Sequence, residues 1–156
     1  MSSDLYSELE KALSVTGSSN VLVSGELRLT GEELLDQIDR YSSQLDKNNC
    51  QSGSLIVLKA GSRVDFVIAL LACAKAKLVV APLSVELPEG KYIEAVERLK
   101  PDYEWCLAEQ TIQSTQFEDK KPEPFVELAS EGGFVRFTSG TTVSYTHLTL
   151  PTICSV

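Results

Sequence analysis

The sequence predicts an α/β fold: a partial, mainly parallel sheet flanked by helices. Two short apolar runs, Leu55–Leu58 and Leu78–Ala81, do not alternate with polar residues, which is typical of strands buried on both faces. Between and around them lie stretches with the apolar spacing of helices. Strands that alternate with helices in this way form parallel sheets with right-handed crossovers.

The first elements are a helix and a hairpin. Apolar residues recur at helical spacing through Ser3–Leu13. Val21–Val23 and Leu27–Leu29 are short β-prone runs on either side of a turn that contains Gly25, which predicts a small hairpin.

A second helix follows the hairpin at once. Thr30 and Glu33 have the spacing of a capping box, in which each side chain satisfies a free N–H group at the start of a helix. One face of this helix is apolar and the opposite face is charged, and we expect it to end at Lys47–Asn49. The apolar face consists of Leu34, Leu35, Ile38, Tyr41 and Leu45.

The central helix–strand units come next. A second capping-box pattern at Ser62–Asp65 opens a helix to about Ala76 that is apolar almost all round and therefore deeply packed. We expect Pro82 to end the strand at Leu78–Ala81. Pro88 suits the first turn of a helix over Glu89–Leu99, which stops before Pro101.

The last third of the chain is less regular. Tyr103–Leu107 is predicted as a strand, and the polar, breaker-rich stretch from Glu109 to Pro124 as a loop. Short strands are predicted at Phe125–Leu128 and Gly133–Phe137. We find no internal repeat.

Composition excludes several classes of protein. The 156 residues, 43% hydrophobic and 23% charged, fit one soluble domain. A net charge of −8 argues against a nucleic-acid surface. The four cysteines form no CxxC pair, so we expect no metal site, and their spacing suits a reduced, cytoplasmic chain. There is no signal-peptide pattern, and the most apolar stretch, Val64–Leu83, contains charges and a proline that argue against a membrane span.

The principal candidate site is the segment Thr138–Thr142, which follows a predicted strand. Its hydroxyl groups and backbone N–H groups could cradle phosphates, and Gly140 would allow close approach. Serine, threonine and glycine are also common in ordinary turns, so both interpretations stay open. Neither the Walker motif GxxxxGK[ST] nor the Rossmann motif GxGxxG is present.

Residues 1–142 resemble the N-terminal part of the adenylate-forming superfamily, which comprises acyl-CoA synthetases, adenylation domains and luciferases. Leu29–Leu34 resembles the family's "LTYxEL" segment, and Leu70–Leu83, followed by Leu87-Pro88, resembles its "llailkaGavyvPl…P" segment. Phe134–Thr142 resembles the beginning of its signature "YTSGTTGxPKG". All three occur in the family's order. Phe137 replaces the usual tyrosine, Lys77 replaces a glycine, and the sequence departs fully at Val143.

The resemblance implies an ATP-dependent acid–thiol ligase that activates a carboxylic acid as an acyl-adenylate. Thr138, Ser139, Gly140, Thr141 and Thr142 would contact the ATP phosphates. Mg²⁺ and CoA would be the other cofactors, and fatty acids one class of substrate. The catalytic residues of the family lie beyond this point, so we expect residues 1–142 to be an incomplete, inactive subdomain.

Several alternatives remain open. The start at Met1 favours a free-standing acyl-CoA synthetase over an amino-acid adenylation domain of a peptide synthetase, and a complete non-enzymatic α/β binding module is a further alternative.

A hydrolase that pairs His147 with Ser139 or Ser144 lacks a GxSxG elbow and an orienting acid. Lys59 and Arg63 flank a strand-to-helix turn and could bind an anion, although surface charge is the default. Cys73 is predicted to lie in the core. The oligomeric state is left open.

The C-terminal tail, residues 143–156, resembles translated sequencing-library adapter. The adapter GTC TCT TAT ACA CAT CTG ACG CTG CCG ACG encodes VSYTHLTLPT, the sequence of residues 143–152. We therefore expect the tail to be non-native and the native sequence after Thr142 to be missing.

Overall fold

A computed structural model describes residues 5–61, 63–117, 133–136 and 146–148. Helices and strands alternate through most of this range. In chain order they are α1 (Leu5–Thr16), β1 (Asn20–Ser24), β2 (Leu27–Thr30), α2 (Gly31–Lys47), β3 (Leu55–Ala60), α3 (Arg63–Lys75), β4 (Val79–Ser84), α4 (Glu89–Leu99), β5 (Tyr103–Cys106), β6 (Thr111–Ser114), β7 (Gly133–Arg136) and β8 (Thr146–Leu148).

Among the described residues, the main sheet has six strands in the order β6-β5-β3-β4-β7-β8, and β1 and β2 form a separate antiparallel hairpin. The four central strands β5, β3, β4 and β7 are parallel. The two outer strands, β6 and β8, pair antiparallel with their neighbours. The predicted fold class is therefore confirmed.

Each face of the sheet supports its own core. On one face, Ile56 and Leu58 pack with α2 and α3 and with Trp105, which is fully buried. On the other face, Leu55 and Val57 pack with residues of α4. Because alternate residues of β3 point to opposite faces and both sets are buried, the strand reads as an uninterrupted apolar run.

Helix α2 begins as the sequence predicts. The backbone N–H group of Glu33 donates to the Thr30 hydroxyl at 3.2 Å, and the Thr30 N–H group donates to the Glu33 carboxylate at 2.9 Å. The capping box is complete and uses only residues within one turn. The second predicted box includes Ser62, which lies outside the described residues.

Two predictions about strands are wrong. Pro82 does not end β4, which continues to Ser84. The Val79 N–H group donates toward β3, and backbone groups alternate along a strand, so the nitrogen of Pro82 is directed toward β7. Within the described residues, the ladder of β7 with β4 covers Val79 and Val80 and does not reach Pro82. Proline is tolerated where no ladder donor is needed.

Part of the stretch predicted as a loop, Glu109 to Pro124, is a strand, because β6 lies within it. The strand lies at the edge of the sheet, so its polar side chains carry little of the apolar signal on which the sequence prediction depends. The strand predicted at Phe125–Leu128 lies outside the described residues.

The other boundaries differ by a few residues from the predicted ones, as expected for element ends. Helix α1 runs to Thr16, beyond the predicted end at Leu13. Pro88 occupies the N-cap of α4, one position before its first turn.

Candidate functional site

The carboxyl ends of β3, β4 and β7 lie at one edge of the sheet because these strands are parallel. Helix α3 carries the chain from β3 to β4 on one face, and α4 carries it from β4 back to β5 on the other face. The loops after β3 and β4 therefore leave in opposite directions. Such a divergence creates a crevice, and open α/β sheets usually bind their ligands there.

A cavity of about 210 Å³ lies at this divergence. Most of its wall is apolar, with Phe66, Pro82 and Leu83 as the larger groups. The lining residues are Ala60, Gly61, Arg63, Phe66, Pro82, Leu83 and Ser84. Arg63 is the only charged residue among them, and the Ser84 hydroxyl accepts a hydrogen bond from the Glu86 N–H group at 3.1 Å. A small group with an apolar part and negative charge suits this lining.

Lys59 and Arg63 do not share this site, although only three residues separate them. Arg63 is exposed and lines the cavity beside Phe66 of α3. Lys59 points to the α4 face, where its Nζ atom lies 4.5 Å from the centroid of the Tyr92 ring. A cation over an aromatic ring is a favourable arrangement that the sequence pattern did not reveal.

The Tyr92 ring is itself held from β5. Its hydroxyl donates to Glu104 Oε2 at 2.5 Å. Burial of the ring and this bond to the carboxylate both raise the pKa of Tyr92, burial being the larger cause. Lys59, Tyr92 and Glu104 therefore join β3, α4 and β5 near the carboxyl edge of the sheet.

Replacing Tyr92 with phenylalanine should reduce the free energy of unfolding by about 1–3 kcal/mol at neutral pH, because the Glu104 carboxylate loses its partner. A hydroxyl whose pKa is raised stabilises the fold fully below pH 10, the ordinary value, and this stabilisation is lost as pH rises through the higher folded pKa. The difference between wild type and Tyr92→Phe should therefore shrink at strongly alkaline pH. Urea unfolding of both proteins at several pH values measures this difference in the free energy of unfolding.

Glu104→Met, which removes the acceptor oxygens at similar length, and the double variant complete the cycle for this pair. Since both changes remove the same bond, their combined effect should be smaller than the sum of the two. Additive effects, or a constant difference at all pH values, would contradict the assignment.

The predicted phosphate contacts Thr138–Thr142 lie outside the described residues, so their role stays a prediction. The described part of their strand is β7, which ends at Arg136, two residues before Thr138. It runs parallel to β4, with Gly133 beside Val79 and Phe134 beside Val80. Its carboxyl end is therefore directed to the same edge of the sheet as the cavity.

The remaining candidates have structural roles where they are described. Cys73 is fully buried in the α2–α3 core, as predicted, and burial strongly raises the pKa of its thiol. Burial also raises the pKa of the Cys50 thiol to about 11. The backbone of His147 pairs with Val135 in the antiparallel β7–β8 ladder. Ser139 and Ser144, its proposed partners in a hydrolase, lie outside the described residues.

In the described residues, no group of three histidine, cysteine or acidic side chains is arranged to hold a metal ion. Within the same part of the chain, none of the helices has the length and apolar character needed to span a membrane.

Comparison with solved structures shows several proteins of similar fold. VinN in complex with L-aspartate aligns with a TM-score of 0.67 and 16% identity, over 93% of this chain and 47% of VinN. The N-terminal subdomain of Klebsiella oxytoca NpsA, in complex with 3-hydroxyanthranilyl-AMSN, aligns with a TM-score of 0.65 and 18% identity. The alignment covers 92% of this chain and 38% of the NpsA chain. Coronafacic acid ligase from Pectobacterium brasiliense aligns with a TM-score of 0.61 and 20% identity. The alignment covers 65% of this chain and 20% of the ligase chain.

At these identities the similarity establishes the fold, and the chain spans between one fifth and one half of the length of these three proteins. No curated protein sequence matches the chain. The family profile described as AMP-binding enzyme matches residues 9–119, from within α1 to just beyond β6. This match covers more than half of the sequence, and the chain belongs to the AMP-binding enzyme family.

Proposed function

We propose that this chain is the N-terminal part of an ATP-dependent ligase that activates a carboxylic acid as an acyl-adenylate. The observation that carries the proposal is the AMP-binding family match over residues 9–119. The parallel direction of β4 and β7 supports it, because β7 runs toward the carboxyl edge, where α/β sheets usually bind ligands, and Thr138 follows the last residue of β7 by two positions in the sequence.

The phosphate-binding role follows from chemistry. Hydroxyl and N–H groups directed at a polyphosphate stabilise charge that builds up when the acid attacks the α-phosphate and pyrophosphate leaves. Mg²⁺ would neutralise part of that charge in the complete enzyme. We further propose transfer of the acyl group to CoA. An amino-acid adenylation domain of a peptide synthetase is the second candidate, because one protein of similar fold was solved with L-aspartate.

We also propose that residues 143–156 are foreign coding sequence joined to the native chain near Val143. The codon-by-codon correspondence with the adapter is the support. The antiparallel pairing of β8 with β7 is compatible with it, since ladder hydrogen bonds use backbone groups that any non-proline residue supplies. Genomic sequence across codon 142 is the direct check. A continuation into VSYTHLTLPT there would overturn this proposal.

The test of function is ATP–pyrophosphate exchange with a panel of fatty, aryl and amino acids. The enzyme restored from the genomic sequence should exchange with at least one acid. The 156-residue chain should not, because it lacks the rest of the catalytic domain. Exchange by the short chain, or a restored enzyme that exchanges with none of the acids, would contradict the proposal. Thioester formation with CoA then decides the acceptor.

A further inference from the structure

The outer edge of β6 is free to accept another strand within the described part of the chain. β6 is the terminal strand on its side of the main sheet, and no described strand pairs beyond it. Such an edge presents unpaired N–H and C=O groups and is a ready template for pairing with another chain.

The hydrogen bonds of β5 determine which groups of β6 point outward. The Leu107 N–H group donates to the Lys59 carbonyl on β3, so by alternation Tyr103 and Trp105 also face β3. Glu104 and Cys106 therefore face β6, where their partners are Gln113 and Thr111. The remaining residues, Ile112 and Ser114, direct their N–H and C=O groups to the outer edge.

The outward-facing residues Ile112 and Ser114 lie on either side of Gln113, so a two-fold axis through Gln113 would bring the outward groups of two copies together. In an antiparallel pair of two β6 strands centred on Gln113, Ile112 of one copy lies opposite Ser114 of the other. Both residues present outward groups, so the symmetric pair closes four backbone hydrogen bonds. Gln113 of one copy then lies opposite Gln113 of the other.

The side chains permit this approach. The chain has a net charge of −8, but Thr111–Phe117 contains no charged residue, no proline and no glycine. In the same register Glu109 lies opposite Phe117 of the second copy, so no carboxylate meets another. Edges that avoid pairing usually carry lysine, proline or an inward charge, and β6 has none of these within its four residues.

We propose that the outer edge of β6 is an interface at which two copies of this chain pair antiparallel about Gln113. Four hydrogen bonds along a four-residue strand make the association weak and dependent on concentration. The proposal is independent of the catalytic assignment, since β6 lies two strands away from the β3–β4 cavity.

The decisive variants change Gln113, whose side chain is exposed. Sedimentation equilibrium of the full 156-residue chain over a concentration series should show a monomer–dimer equilibrium. Gln113→Lys and Gln113→Glu should each raise the dissociation constant about tenfold or more, because like charges then face each other at the axis. An equimolar mixture of the two variants should associate at least as tightly as the wild type, since opposite charges then meet.

A backbone test uses Ser114. Proline at this position removes only the outward N–H group, whereas Ser114→Ala keeps it and serves as the matched control. Association should be lost with proline and retained with alanine. If Ser114→Pro fails to show the wild-type unfolding transition, the Gln113 pair alone decides. A monomeric wild type, dimerisation unchanged by both Gln113 variants, or a mixture that stays monomeric would overturn the proposal.

Discussion

Thr141→Val in the restored enzyme is expected to lower the rate of ATP–pyrophosphate exchange about 100-fold or more. Valine has nearly the shape of threonine but lacks the hydroxyl group that we assign to the ATP phosphates. Removal of one hydrogen-bond donor from a site of developing charge commonly costs a factor of 10² to 10³ in rate. Exchange is measured at saturating acid with ATP varied, so that effects on binding and on turnover separate.

Thr141→Ser is the matched control, since serine keeps the hydroxyl group and removes only a methyl group. It should retain most of the exchange activity. Equal activity of the valine and serine variants would show that the hydroxyl does not contact the phosphates. It would leave the ligase assignment standing, because that assignment is tested by exchange in the unsubstituted enzyme.

Gly31→Ala is expected to lower the free energy of unfolding by about 3 kcal/mol, at the upper end of the usual cost of overpacking. A Cβ atom on Gly31 would lie 2.2 Å from the Thr16 hydroxyl oxygen and 2.3 Å from the Leu13 carbonyl oxygen. The second contact is with the backbone, so no change of rotamer relieves it. The last turn of α1 would have to move away from the start of α2.

Intrinsic propensity predicts the opposite sign, since alanine is favoured over glycine in helices by about 1 kcal/mol. Gly90 in the first turn of α4 provides the control, because a Cβ atom there would meet nothing within 4 Å. Gly90→Ala should be neutral or slightly stabilising in the same urea titration. If Gly31→Ala and Gly90→Ala change the free energy of unfolding equally, the result would contradict the close packing of α1 against the start of α2.

The contrast between two residue pairs shows where sequence reasoning succeeds. Thr30 and Glu33 interact within one helical turn, so their spacing alone predicted both hydrogen bonds. Tyr92 and Glu104 belong to different elements, and a pairing of β5 with β3 was needed to bring them together. No spacing rule connects them, and the pair was missed.

Strand predictions failed for a related reason. β6 lacks an apolar face of its own and is a strand because β5 offers it a ladder. Pro82 remains within β4 because its nitrogen faces β7, and the described ladder between β4 and β7 needs no donor at this position. Both outcomes depend on a neighbouring strand, which a local window of sequence does not contain.

The sequence by itself determined the alternation of helices and strands, the buried central strands, the start of α2 and the resemblance to adenylate-forming enzymes. These depend on local periodicity and on residue order, which the chain carries without folding. Only the tertiary structure decided that Lys59 and Arg63 serve opposite faces, that a cavity opens where the β3 and β4 loops diverge, and that β6 is a sheet edge. The physical reason is that these features arise from the order and direction in which distant segments pair.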